Sequence, residues 1–291
     1  MTCVCAGRLL VFGADIELRT LFNSEYVVCD GTFEMSPQSS YQLYTCHGYV
    51  KGEAMPMVWP LLPNKSRATY VEVFRALCNA LETRFGDCGA ANRTFLTDFE
   101  LAAIQAIQEV FVGARVKGCT FHFRQAVYRH VQQLGLAWAY EDSTNPLRDW
   151  IRQLMSFTAL PTFAVPMVWS WMMNPPSVGN FIIDSKARRL AEYFERTWLT
   201  GSLPPSLWSH YDNNGPRTTN VAEGWHNGLN TRFGVSHPSL RLFLDWLQRF
   251  QFEVQCRSLQ LVAGRAPRQR RPAYVRVDIA TTCGTLSSRT V

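Results

Sequence analysis

Long hydrophobic runs are missing from this 291-residue sequence. LLVF near the start is too short for the core of a secretion signal, and AMPMVWPLLP (54–63) is broken by prolines and far below membrane-spanning length. No membrane partner is expected. A regular cysteine framework is missing as well. The nine cysteines are odd in number and scattered, and no secretory leader is read ahead of them, so reduced thiols in cytosol or nucleus are expected rather than a disulfide scaffold. Without a secretory route the glycosylation sequons at 64 and 92 carry no weight. Internal repeats are absent, and the one biased segment is a basic stretch near the end.

What is present suits a large core. Apolar residues make up 47% and aromatics 13%, enough for one large domain or two modest ones. The formal charge of +6 fits a polyanion partner without requiring one. Its placement says more: from Arg257 to Arg276 there are six arginines and no acid. Such a run is either a solvated tail or a phosphate-contacting one.

Segments 25–33, 41–50 and 54–63 are rich in β-branched and aromatic residues and separated by turn-forming residues, which predicts three strands in an antiparallel meander. Val73, Phe74, Leu77 and Leu81 recur at helical spacing in a segment that ends on Gly86. A short strand (93–98), a helix (100–111) and another strand (114–122) follow, giving the order β-β-β-α-β-α-β. Strands alternating with helices pair in parallel, so a mixed five-stranded sheet flanked by helices is expected. From about 123 to 199 the pattern is helical throughout. After a loop rich in Pro, Gly, Ser and Asn come two more helices, 220–233 and 239–259.

Three acids stand out. Asp30 ends the run YVVCD, on the same strand face as Tyr26, Val28 and Thr32. Asp98 closes FLTD just before a helix, at the strand end where open α/β sheets place ligands. On neighbouring strands the two would repel unless they shared a cation. Each alone is equally readable as a turn former or helix cap. In the helix 220–233, Val221, Trp225, Leu229 and Phe233 form an apolar arc, with Glu223, His226, Asn227 and Asn230 on the other side. A glutamate there is ordinarily solvated, but this face lacks the Glu/Lys pairs of an exposed helix.

EYVVCDGTFEMSP, YQLYTCHGYVKGEAMPMVWPLLPNKSRATY, FLTDFELAAIQAIQEVF, VKGCTFHFRQAVYRHVQQLGL and RTTNVAEGWHNGLN, in this order, resemble the Mutator-like element (MULE) transposase domain, a DDE transposase with a ribonuclease H-like fold. The resemblance implies that Asp30, Asp98 and Glu223 are the catalytic acids, holding two Mg²⁺ or Mn²⁺ ions. It implies a core in two parts, 9–125 and 216–262, around an all-α insertion, 126–215, with a basic tail over 263–291. It also makes Cys119 and His122 the family's Cys-x-x-His pattern. These are read as packing at a strand–helix junction or as half of a zinc site; with no second pair at suitable spacing, zinc is not expected.

The implied activity is metal-dependent cleavage and strand transfer on double-stranded DNA, at transposon ends and target, in the nucleus and as a possible homo-oligomer. Lys186, Arg188, Arg189, Arg217, His226, Arg268, Arg270 and Arg271 are candidate DNA contacts, and Gly31 is expected to leave room for metal or DNA backbone beside Asp30. In this family a DNA-binding region usually precedes the catalytic domain, and here the resemblance begins almost at once. A fragment, a truncated copy or a transposase-derived nucleic-acid-binding protein without catalysis is therefore the competing reading.

Overall fold

The computed structural model describes residues 2–6 and 9–268, with side chains from residue 9 onward. They fall into two compact units, one running to Val116 and resuming at Thr219, the other spanning Lys117–Thr218. The first contains β1 (Thr2–Ala6), β2 (Leu9–Gly13), α1 (Asp15–Phe22), β3 (Tyr26–Thr32), β4 (Gln42–Val50) and β5 (Glu53–Leu62). Next come α2 (Arg67–Phe85), β6 (Thr94–Thr97), α3 (Leu101–Val110) and β7 (Arg115–Gly118). Helices of the second unit are α4 (Thr120–Gln133), α5 (Ala137–Glu141), α6 (Pro146–Ser156), α7 (Val165–Met172), α8 (Phe181–Phe194) and α9 (Pro205–Trp208). The chain then returns to the first unit with α10 (Asn220–Phe233) and α11 (Leu240–Val262).

The sheet has seven strands in the order β1-β2-β5-β4-β3-β6-β7. The expected meander is there, β3 and β5 both pairing antiparallel with β4, and β6 joins β3 in parallel, so the sheet is mixed. The expected count of five is corrected to seven. β2 extends the sheet from β5, Phe12 opposite Trp59, and β1 pairs with β2. Leu9, Val11 and Phe12 are all buried, so β2 shows no alternation, and a short apolar run of that kind cannot be assigned from periodicity. The strand expected over 114–122 stops at Gly118, because Thr120 already opens α4.

Every residue of β5 and nearly all of β4 are buried, as in a sheet covered on both faces. On the face carrying Val27 and Phe95, α2 and α3 supply Phe74 and Phe111, whose ring centroids lie 6.3 and 4.8 Å from that of Phe95. Each such buried phenylalanine contributes about 1.5–3 kcal/mol. Helix α2 starts where the Ser66 hydroxyl accepts the Thr69 N–H and stops at Gly86, whose φ of 80° is easy only for glycine. On the opposite face α10 lays Ala222 against Val28 and Leu96. Helix α11 adds Phe243, Leu247, Phe250 and Val254 to the core.

In the second unit Phe123, Phe157, Phe194, Trp198 and Trp208 are buried together. The Trp208 indole N–H is shared between the carbonyls of Trp198 and Leu203. His210 accepts from the Asn213 amide and donates Nε2–H to the Gly118 carbonyl at 2.7 Å; burial pushes this imidazole down to about 4.

Candidate active site

The site is built on the sheet face beneath α10. Strand alternation puts Val28 and Asp30 on that face, and the β3–β6 register pairs Val28 with Leu96. Asp30 and Asp98 each lie two residues beyond that pair, Asp30 within β3 and Asp98 just past the end of β6. On the other side of β3, Thr45 stands opposite Asp30 and His47 opposite Val28. Val28, Leu96, Asp30, Thr45 and His47 thus occupy one face.

Asp30 is buried, and its Oδ2 lies 3.2 Å from His226 Nδ1. His226 Nε2 is 2.9 Å from the Thr45 hydroxyl, which is also 2.9 Å from His47 Nε2. Proton accounting gives this row a direction. His47 is fully buried, and burial, helped by the nearby His226, holds its imidazole well below the ordinary range, so it is neutral. Its Nδ1 has no partner, which suits a bare acceptor nitrogen and puts the proton on Nε2. His47 Nε2–H therefore donates to the Thr45 hydroxyl, which donates in turn to the Asp30 carbonyl at 3.2 Å, and the His226 ring lies between that hydroxyl and the Asp30 carboxylate. Among the described residues no lysine or arginine forms an ion pair with Asp30.

Asp98 is half-buried. Its Oδ1 accepts from the Thr97 hydroxyl at 3.3 Å and from the Glu100 N–H at 3.2 Å, the turn that leads into α3. Burial is the main cause that raises the Tyr44 phenol, and the charge of Asp98 adds to it. Glu223 is half-buried in the first turn of α10, one residue after the Ala222 that touches both strands and one turn before His226.

Two expectations about this face are corrected. Of the expected arc, Trp225, Leu229 and Phe233 do pack on the core, but Val221 is exposed, and Ala222 and His226 are buried beside them. His226 is 5% exposed and turned onto Asp30, so it offers no surface to DNA; a buried histidine with polar partners is indistinguishable from a surface one by periodicity. Gly31 does not open space beside the carboxylate. A Cβ there would overlap the Gln42 side-chain amide, which lies across the glycine and accepts the Tyr70 hydroxyl at 3.2 Å. Sequence reasoning missed Thr45 and His47, whose signal was their cross-strand position relative to Asp30.

The remaining candidates fall in both units. In the second unit Cys119 is buried at the N-cap of α4, and His122 is half-buried in its first turn. Of the α8 residues, Arg188 and Arg189 are exposed and Lys186 is half-buried; Arg217 is half-buried and donates to the Asn213 carbonyl. In the first unit Arg268 reaches Glu53 and lies over the Trp225 ring. Burial pulls the Glu53 carboxyl upward, but the hydrogen bonds and charges of Arg257 and Arg268 outweigh it and hold it below the usual range. Arg270 and Arg271 lie outside the described residues.

Residues 26–126 match the family model of the MULE transposase domain. The chain therefore carries a segment similar to MULE transposases, and that segment contains Asp30, Asp98, Cys119 and His122 but stops short of Glu223. No curated protein and no solved structure matches the chain. Among the described residues no helix is long and apolar enough to cross a membrane.

Proposed function

We propose that the first unit is the catalytic core of a DDE transposase with a ribonuclease H-like fold, interrupted by the helical unit Lys117–Thr218. The observation that carries this reading is the parallel pairing of β3 with β6, Val28 opposite Leu96, with Asp30 and Asp98 each two residues further along inside the segment similar to MULE transposases. The strand order β5-β4-β3-β6-β7, with β6 parallel to β3, supports the fold.

The donor set fits a hard divalent cation. Asp30 is a buried carboxylate met by His226, and Asp98 follows the neighbouring parallel strand; the two side by side would repel without a shared cation. Asp30, Asp98 and Glu223 would hold Mg²⁺ or Mn²⁺, which when bound supplies charge stabilisation for displacement at a DNA phosphorus. His226 fixes the orientation of Asp30 and leaves its other oxygen for the site. The exposed arginines of α8 would position the DNA backbone without reading its sequence. Double-stranded DNA is the proposed partner and the nucleus the proposed compartment.

Purified chain with Mg²⁺ or Mn²⁺ and its own terminal-repeat DNA should give nicks that disappear in Asp30→Asn and Asp98→Asn. Equal nicking by those variants would end the catalytic assignment. Retained DNA binding with no nicking by the unaltered chain would favour a transposase-derived binding protein instead.

A further inference from the structure

Away from the acids, Cys78 and Glu82 lie four residues apart on α2 and so on one face of it, with Cys78 Sγ 3.5 Å from Glu82 Oε1. The helix ends three residues later, and the left-handed Gly86 reverses the chain so that Cys88 comes back against Cys78. One donor atom from each of the three lies within 4.8 Å of the others, the only such group among the described residues. Zinc bound to sulfur at about 2.3 Å and carboxylate oxygen at about 2.1 Å keeps its ligands roughly 3.5 Å apart in a tetrahedron. Only a small contraction separates the three donors from that geometry.

A second observation concerns charge. Arg93 is 2% exposed, yet its guanidinium donates only to the carbonyls of Cys88 and Phe22, and its Nε has no partner. Gly89, at φ 68°, is needed there, because a Cβ would come within 2.7 Å of Arg93 Nη2. A buried guanidinium is costly unless anionic groups stand near, and the groups whose charge acts on Arg93 are Cys88, Asp87 and Cys78. Two thiolates and a carboxylate around a divalent zinc carry one net negative charge, which would stand with Asp87 against the charge of Arg93.

We propose that Cys78, Glu82 and Cys88 form a zinc site, with Arg93 as its buried counter-charge and one coordination position open to water. Thiolate donors select zinc over magnesium, so the site is chemically separate from the carboxylates at the sheet end. Its place in the chain gives it a role: it pins the end of α2 to the segment that enters β6, the strand leading to Asp98. The proposal does not depend on DNA chemistry.

Titrating the reduced, metal-free full chain with Co²⁺ tests it. One equivalent should bind with a thiolate-to-cobalt charge-transfer band that Zn²⁺ displaces. The band should vanish in Cys78→Ser and in Cys88→Ser and persist in Cys119→Ser. Glu82 is exposed, so Glu82→Gln keeps the fold, and it should weaken Co²⁺ binding by about tenfold or more. The proposal is overturned by a band that survives in the Cys78/Cys88 double variant, by its loss in Cys119→Ser, by unchanged affinity in Glu82→Gln, or by no band in the reduced wild type.

Discussion

His226 Nδ1 on α10 stands 3.2 Å from Asp30 Oδ2 on β3, joining residues 196 positions apart in one buried contact, so the packing of a late helix sets the orientation of an early carboxylate. Replacing His226 with Asn leaves Asp30 in place but unaimed. DNA cleavage should fall by about 10–100-fold, the usual cost of losing a group that orients a metal ligand. The Mg²⁺ concentration for half-maximal nicking should rise in parallel; an unchanged Mg²⁺ midpoint would show that His226 serves packing alone.

Thr45 connects the two imidazoles through one hydroxyl. Thr45→Val keeps the shape and removes the hydrogen bonds to both imidazoles and to the Asp30 carbonyl, leaving nitrogens of two buried histidines unpaired. The expected loss is about 1–3 kcal/mol of unfolding free energy, read by urea denaturation.

Gly31→Ala should also destabilise. The added methyl group displaces the Gln42 side chain, which costs roughly 1–3 kcal/mol of overpacking and breaks the bond from the Tyr70 hydroxyl. Pairing Gly31→Ala with Gln42→Ala should recover most of the loss; a double variant no better than the single one would show that another contact holds Gly31.

Glu17 gives a pH signature. It is buried, accepts from the Ala14 N–H and the Gln251 amide, and burial is the chief cause that raises its pKa from 4.5 to about 7. The folded state therefore holds a proton that the unfolded chain releases. Stability from this group is complete below about pH 4.5 and is lost as pH rises toward 7, by roughly 3 kcal/mol at most. Glu17→Gln should flatten that loss, so the variant gains on the wild type at pH 8 and not at pH 4. Equal pH dependence of the two proteins would contradict the buried-acid account.

Much of the sheet face was legible before any coordinates. The alternation in YVVCDGT and the short FLTD run placed Asp30 and Asp98 on strand ends, because period-2 patterning survives where the flanking turns are polar. Helix α10 was found with its ends, from Asn220 to the left-handed Gly234, and with most of its packed side, since Trp225, Leu229 and Phe233 do meet the core. His226 counts as polar in any periodicity, yet Asp30 and Thr45 satisfy it, so it is buried where a solvent-facing polar residue was expected. Strand β2 was missed because a short, mostly buried apolar run has no period. The Cys78–Glu82–Cys88 group depends on the Gly86 reversal, which brings Cys88 back to α2 in a way that spacing alone does not reveal.

The row from His47 through Thr45 to His226 has one further property. It holds both ends of Asp30 at once, the Thr45 hydroxyl on its carbonyl and the His226 ring on its carboxylate. The aim of the carboxylate is thereby set by strand β4 as well as by helix α10, so a shift of either element would turn it.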